Sequence, residues 1–143
     1  MQISFRPAEL EDFGYCAKLY FAAMEQSIRE LKLDIYAHVA DFRKRWDLVE
    51  VRIVLRDSVD VGWLQTRTEN GALFLAQLFV DAAAQGQGIG TAVMRQVIDE
   101  AARAGQAVTL GVVKINPALR LYHRLGFRTI HEDDRKFYMR REC

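Results

Sequence analysis

Gln85-Gly86-Gln87-Gly88-Ile89-Gly90-Thr91 stands between two segments of different periodicity, and that order decides the fold. Ahead of it, Leu73-Phe74-Leu75-Ala76-Gln77-Leu78-Phe79-Val80 is an apolar run of strand length. Behind it, Ala92-Val93-Met94-Arg95-Gln96-Val97-Ile98-Asp99-Glu100-Ala101 repeats its apolar residues at helical spacing. Strand, glycine-rich loop and helix in this order build a phosphate site. Glycine lets the backbone turn and approach a ligand without a Cβ in the way. The first turn of the helix offers unpaired N–H groups and the positive end of its dipole. The expected ligand is a phosphorylated cofactor.

The spacing narrows the choice. A Walker loop needs G-x-x-x-x-G-K-[ST], and no such lysine is present. A dinucleotide fingerprint needs G-x-G-x-x-G at the first strand–helix turn and an acidic residue about twenty positions on. Here the pattern is G-x-G-x-G, late in the chain, with Gly105-Gln106-Ala107 at that distance. Gln85, Gly88 and Gly90 resemble the Q/R-x-x-G-x-G/A signature of the GCN5-related N-acetyltransferase superfamily. The resemblance implies that amides of Gln85, Gly86, Gln87, Gly88, Ile89, Gly90 and Thr91 hold the pyrophosphate of acetyl-coenzyme A. A glycine turn that only caps a helix would carry the same local pattern.

Composition bounds the rest. A chain of 143 residues is expected to form one domain, residues 1–143, burying roughly two-thirds of its unfolded surface. Twenty basic residues against nineteen acidic leave almost no net field, which argues against a nucleic-acid partner. No apolar run approaches the roughly twenty residues that span a bilayer. Met1-Gln2-Ile3-Ser4-Phe5-Arg6 reads as a first strand and not as a signal sequence. Cys16 and Cys143 make no disulfide framework. His38, His123 and His131 share no ligand spacing with them or with each other, so no metal site is expected. The expectation is a cytoplasmic protein with neither metal nor membrane.

Pro7 is expected to open a first helix whose apolar residues are Leu10, Phe13, Ala17, Met24, Ile28 and Leu31. Ala8 offers no capping oxygen there, whereas Asp34 caps a second helix through about Trp46. Val49 to Leu55, Val61 to Arg67 and residues 72 to 80 read as three antiparallel strands. Turns at Asp57 to Asp60 and at Glu69-Asn70-Gly71 join them. After the loop helix, Gly105 suits its C′ position, and Val108-Thr109-Leu110-Gly111-Val112-Val113 is the next strand. A strand–helix–strand unit of this length makes a right-handed crossover, so its two strands run parallel.

Asn116-Pro117-Ala118-Leu119-Arg120-Leu121-Tyr122-His123-Arg124-Leu125-Gly126-Phe127 is a helix with Asn116 as N-cap, Pro117 at N1 and Gly126 closing it. The pattern N-x-A-x-x-x-Y-x-x-x-G-F also resembles the second motif of the same superfamily. Arg6-Pro7-Ala8 and Lys136-Phe137-Tyr138-Met139-Arg140 resemble its ends, so the likeness covers nearly the whole chain. It implies cofactor contacts from Asn116 and Tyr122, with the Tyr122 hydroxyl beside the thioester sulfur. The fold it implies is a single α/β domain, with a mixed, mostly antiparallel sheet of roughly six or seven strands and about four helices. Two central strands of that sheet splay where the pantetheine enters.

The chemistry follows from acyl transfer. An amine attacks a thioester only when neutral, so a base or a water path takes its proton. The carbonyl needs a hydrogen-bond donor as charge develops. The resemblance implies a backbone N–H on the strand entering the loop, from Leu78 or Phe79, with Val80 beside them. Tyr122 is the candidate proton donor to the departing thiolate. Many family members carry a glutamate on this strand; here Phe74 takes the position where the histone-acetylating branch has it. Gln77 is the strand's one polar side chain, able to orient a water or the substrate but not to act as a base near neutral pH. Glu25, Tyr36 and Glu69 are other candidates. His123 points about 100° away from Tyr122 on its helix, and His131 precedes the solvated turn Glu132-Asp133-Asp134.

The acceptor is expected to be the amine of a small molecule or a peptide, in a ternary complex with acetyl-coenzyme A. Tyr15, Tyr20, Phe21, Met24, Tyr36, Phe42 and Trp46 either line its pocket or pack two helices over the sheet. Arg43-Lys44-Arg45 either attracts an acidic acceptor or forms a solvated helix face. A non-catalytic acyl-coenzyme A-binding module and an acetyltransferase acting on aminoacyl-tRNA are the alternatives. The carboxy-terminal strand is a candidate for pairing two copies into a homodimer.

Overall fold

The computed structural model describes residues 1–30 and 32–143. Seven strands form a mixed, mostly antiparallel sheet. They are β1 (Ile3–Pro7), β2 (Val51–Arg56), β3 (Val59–Glu69), β4 (Ala72–Val80), β5 (Val108–Val113), β6 (Arg128–Glu132) and β7 (Lys136–Arg141). Their order is β1-β2-β3-β4-β5-β7-β6. The helices are α1 (Phe13–Glu30), α2 (Ile35–Arg45), α3 (Ile89–Arg103) and α4 (Ala118–Arg124). β4 and β5 run parallel, as the crossover rule requires. No helix among the described residues is long and apolar enough to cross a membrane.

Two compact units make up the chain. The first comprises Met1–Gln65 and Leu78–Gln87. In it β1 pairs with β2 through Pro7 opposite Arg52, and Ala8 N–H continues the pairing to Val51 O at 3.1 Å. These bonds hold Pro7 in the strand, so α1 begins at Phe13 and not at Pro7. Leu10, expected on the buried helix face, is 71% exposed. Leu31 lies outside the described residues. Asp34 caps α2 as expected, its carboxylate accepting from Tyr36 N–H at 2.9 Å. Asp57 and Ser58 have φ of 49° and 72°, a two-residue hairpin turn that starts β3 at Val59, two residues earlier than expected. At the other end of β2, an Asp47–Glu50 turn delays the strand to Val51.

The aromatic segment resolves toward packing. Cys16, Leu19, Phe42, Val51, Ile53 and Trp63 are buried together, with Phe13, Tyr15, Tyr20, Phe21, Trp46 and Phe79 against them. Trp63 and Phe79 meet at 5.4 Å between ring centroids, and Tyr20 and Phe79 at 5.5 Å. Burial of each large side chain in such a cluster contributes roughly 1.5–3 kcal/mol. Tyr36 stands outside it, 83% exposed. Arg43 lies over the Phe13 ring and Arg45 pairs with Asp41, so two residues of the basic run serve the helix itself.

The second unit comprises Thr66–Gln77 and Gly88–Cys143. Its α3 buries Ile89, Val93, Met94, Val97 and Ala101. Gly105 closes α3 at φ 68°, with Gln106 N–H bonded to Ala101 O and Gly105 N–H to Ala102 O. β7 lies between β5 and β6 and pairs with both. The carboxy-terminal strand is therefore not an open edge of the sheet; β6 is the edge on that side. His131 belongs to β6, its ring stacked on Tyr138 at 5.4 Å. The solvated turn begins after it, where Asp133 accepts from the backbone N–H groups of Arg135 and Lys136.

Candidate active site

The loop after β4 is built from its own backbone. Asp81 turns the chain by accepting from Ala83 N–H at 3.1 Å. Gln85 then reaches back, its Nε2 donating to Val80 O at 3.0 Å. Gly86 and Gly88 adopt φ of 75° and 79°, a left-handed conformation that side-chain-bearing residues adopt only at a cost. Gly88 is also the N-cap of α3, and a glycine supplies no capping oxygen. The first backbone bond back to it is Ala92 N–H to Gly88 O at 3.1 Å. The N–H groups ahead of Ala92 are left for an outside acceptor.

A Cβ built on Gly86, Gly88 or Gly90 would meet nothing within 4 Å. Gly90 is the telling one. It sits in the helix, outside the left-handed set, and nothing in the chain crowds it. Glycine at a helical position costs up to about 1 kcal/mol relative to alanine. The fold gains nothing from it; a ligand pressed against the backbone does. An open turn with left-handed glycines ahead of an uncapped helix fits a pyrophosphate. Gly90→Ala should raise the stability of the unliganded protein by up to about 1 kcal/mol in urea denaturation and weaken acetyl-coenzyme A binding. Undiminished affinity in that variant would remove Gly90 from the site.

The β4–β5 ladder has three pairs, Leu73 with Val108, Phe74 with Thr109 and Leu75 with Leu110. It stops there, although β4 runs on to Val80 and β5 to Val113. Ala76, Gln77, Leu78, Phe79 and Val80 are all half-buried, unusual for apolar residues in the middle strand of a sheet. The Gln77 side chain makes no hydrogen bond to another described residue.

On α4, Asn116 Oδ1 accepts from Ala118 N–H at 2.9 Å and Pro117 is already helical, so Asn116 is the N-cap by chemistry. Its Oδ1 is thus committed to the helix. Gly126 ends α4 at φ 94°, with Phe127 N–H bonded to Tyr122 O at 3.0 Å. The Tyr122 ring packs edge-on against Phe127 at 5.8 Å. Its hydroxyl has no hydrogen-bond partner among the described residues, and burial pushes its pKa up.

Residues 49–129 match the family model described as an acetyltransferase (GNAT) domain, more than half of the chain. The chain belongs to the GNAT acetyltransferase family. Solved structures share its fold. The PaiA N-acetyltransferase from Thermoplasma acidophilum, in complex with coenzyme A, is 15% identical over 100% of both chains, with a TM-score of 0.70. A GNAT-family acetyltransferase from Listeria monocytogenes is 15% identical over 99% of this chain and 95% of its own, with a TM-score of 0.70. N-acetylglutamate synthase from Neisseria gonorrhoeae, complexed with coenzyme A and N-acetyl-glutamate, is 18% identical and has a TM-score of 0.72. That match covers 99% of this chain and 35% of the synthase. No curated protein sequence matches.

Within this GNAT fold the remaining candidates separate by environment. Glu25 is paired with Arg29 at 2.6 Å on the exposed side of α1, and Glu69 with Arg67 at 3.1 Å. Arg67 also lies over the Phe74 ring, 5.0 Å from its centroid. His123 and His131 are exposed. Cys16 is fully buried and its thiol is pushed up to about 11, mainly by desolvation, so it is no nucleophile. Among the described residues no three His, Cys, Asp or Glu side chains gather as a metal site would require.

In the sequence Tyr15 is one aromatic among several of the amino-terminal segment. Its hydroxyl is buried without a partner, and its pKa is pushed up to about 12 by burial first, then by Asp81 and Asp60. Nothing in the spacing of a helical tyrosine signals that neighbourhood.

Proposed function

We propose that this GNAT chain transfers an acetyl group from acetyl-coenzyme A to a primary amine by direct attack in a ternary complex. The observation that carries this reading is the glycine turn ahead of the uncapped start of α3, with open space where three side chains would be. Backbone N–H groups from Gly86 to Thr91 receive the pyrophosphate; the Gln85 N–H, expected among them, is instead bonded to Ala82 O at 3.4 Å. The coenzyme A bound to two structural neighbours supports the same assignment. Asn116 offers its side-chain Nδ2, since Oδ1 is taken by the helix cap.

The amine nitrogen attacks the thioester carbon, the C–S bond breaks, and the amine's surplus proton leaves through water. An N–H of Leu78 or Phe79 donates to the carbonyl oxygen. Tyr122 gives its proton to the departing sulfur, and its half-buried phenol, without a hydrogen-bond partner among the described residues, supports that role. Gln77, half-buried and unbonded, orients the amine or its water. The burial of Cys16 supports direct attack over an acyl-enzyme. The acceptor is a small-molecule or peptide amine, and the protein works in the cytoplasm as one domain.

A second reading, an acyl-coenzyme A-binding module without turnover, is favoured by the lack of an acid on β4, with Phe74 under Arg67 where the resemblance to the histone-acetylating branch would put a glutamate. Calorimetric titration with acetyl-coenzyme A, followed by thiol release over a panel of amines, tests both. One-to-one binding with release in at least one amine supports the enzyme. Binding without release across the panel supports the module, and absence of binding at high micromolar ligand overturns both.

A further inference from the structure

Gly62 is buried in β3, and a Cβ there would lie 2.3 Å from Phe79 O, 3.2 Å from Val80 Cα and 3.3 Å from Phe79 C. All three are backbone atoms, which cannot swing aside. The approach is prepared by a bulge. Val54 pairs with Gly62 and Leu55 with Asp60, leaving Val61 as an extra residue that bends β3. Val61 O then accepts from Asp81 N–H at 2.7 Å. The Phe79 carbonyl thus lies against Gly62, and its ring packs on Trp63 and Tyr20.

This contact sets which way the end of β4 faces. Backbone groups of successive residues alternate between the two edges of a strand. The Phe79 carbonyl and the Asp81 N–H both lie against β3. Leu78 and Val80, alternating with them, therefore face away from β3. The Val80 carbonyl agrees, since it takes its bond from the Gln85 side chain.

We infer that Gly62 is a positioning residue for acetyl transfer: its missing Cβ lets β3 seat the Phe79 carbonyl, which turns the Leu78 and Val80 N–H groups toward the acyl-coenzyme A. The inference rests on the proposed function and deepens it, because it selects Leu78 over Phe79 as the donor to the thioester carbonyl. Any side chain at position 62 must displace β4 and misdirect those two groups.

The test is an amide-resolved NMR titration of the full chain with acetyl-coenzyme A. In the wild type, Leu78, Val80, Gly88 and Gly90 amides should all shift. In Gly62→Ala, Gly88 and Gly90 should still shift while Leu78 and Val80 do not, and affinity should fall about tenfold, the scale of one or two lost hydrogen bonds. Wild-type shifts at Leu78 and Val80 in that variant would overturn the role of Gly62. Silence of all four amides in the wild type would overturn the cofactor reading itself, and the inference with it. Should Gly62→Ala fail to fold, hydrogen exchange of the unliganded wild type decides. Fast Leu78 and Val80 amides beside a slow Phe79 amide support the orientation set by Gly62, and the reverse order refutes it.

Discussion

Gly88→Asp is expected to abolish measurable acetyl-coenzyme A binding in a protein that still folds. Gly88 has φ of 79° and caps α3 in open space, so a new side chain meets no protein atom. Aspartate tolerates this left-handed backbone better than most residues, and the strain costs about 1–2 kcal/mol at most. Its carboxylate would also serve as the missing helix cap, which offsets part of that strain. The ligand meets the opposite effect. Two unit charges about 4 Å apart interact by about 4 kcal/mol at an effective dielectric of 20, which is roughly three orders of magnitude in affinity. Calorimetry beside thermal unfolding checks both parts. Gly88→Asn is the neutral control, equal in shape and tolerance of the backbone but without the charge. If Asp and Asn bind equally and near wild type, no phosphate sits at this turn.

Tyr122→Phe should lower turnover by roughly 10²–10⁴, the range for a general acid or base. Stability should hardly change. The ring keeps its contact with Phe127, and the hydroxyl has no partner among the described residues to lose. The pH dependence has a defined sign. Burial raises the Tyr122 pKa in the folded state above the ordinary value of about 10. The phenol is therefore protonated throughout the neutral range and gives up its proton only in strong base. Turnover that needs this proton should be flat through neutral pH and fall above about pH 10. The same shift means that its contribution to stability is complete below about pH 10 and is lost as pH rises through the folded pKa. Stopped-flow thiol release across pH would show the falling limb in the wild type and none in Tyr122→Phe. Wild-type turnover in the phenylalanine variant would exclude Tyr122 as the acid.

What could be read from sequence alone divides along a physical line. Asp34, Asn116, Gly105 and Gly126 mark helix ends through side-chain oxygens or left-handed backbone within a few residues of the turn they cap. Such local bonds need no partner from elsewhere in the chain, so their positions were legible. The left-handed glycines of the phosphate loop are of the same kind. The start of α1 was not legible, because Pro7 and Ala8 are held in a strand by Arg52 and Val51, more than forty positions away. The aromatic segment was ambiguous for a related reason. Packing against Ile53 and Trp63 decides which of its rings are buried, and Tyr36 is left out.

Sequence by itself determined the family, the strand–loop–helix order and the glycines of the open turn ahead of α3, because each depends on local spacing and local backbone freedom. Only the tertiary structure decided that β7 lies inside the sheet, and that Gly62 lies against the Phe79 carbonyl. Those features arise where distant strands meet. No local pattern encodes which edge of a strand will face a partner brought in from another part of the chain.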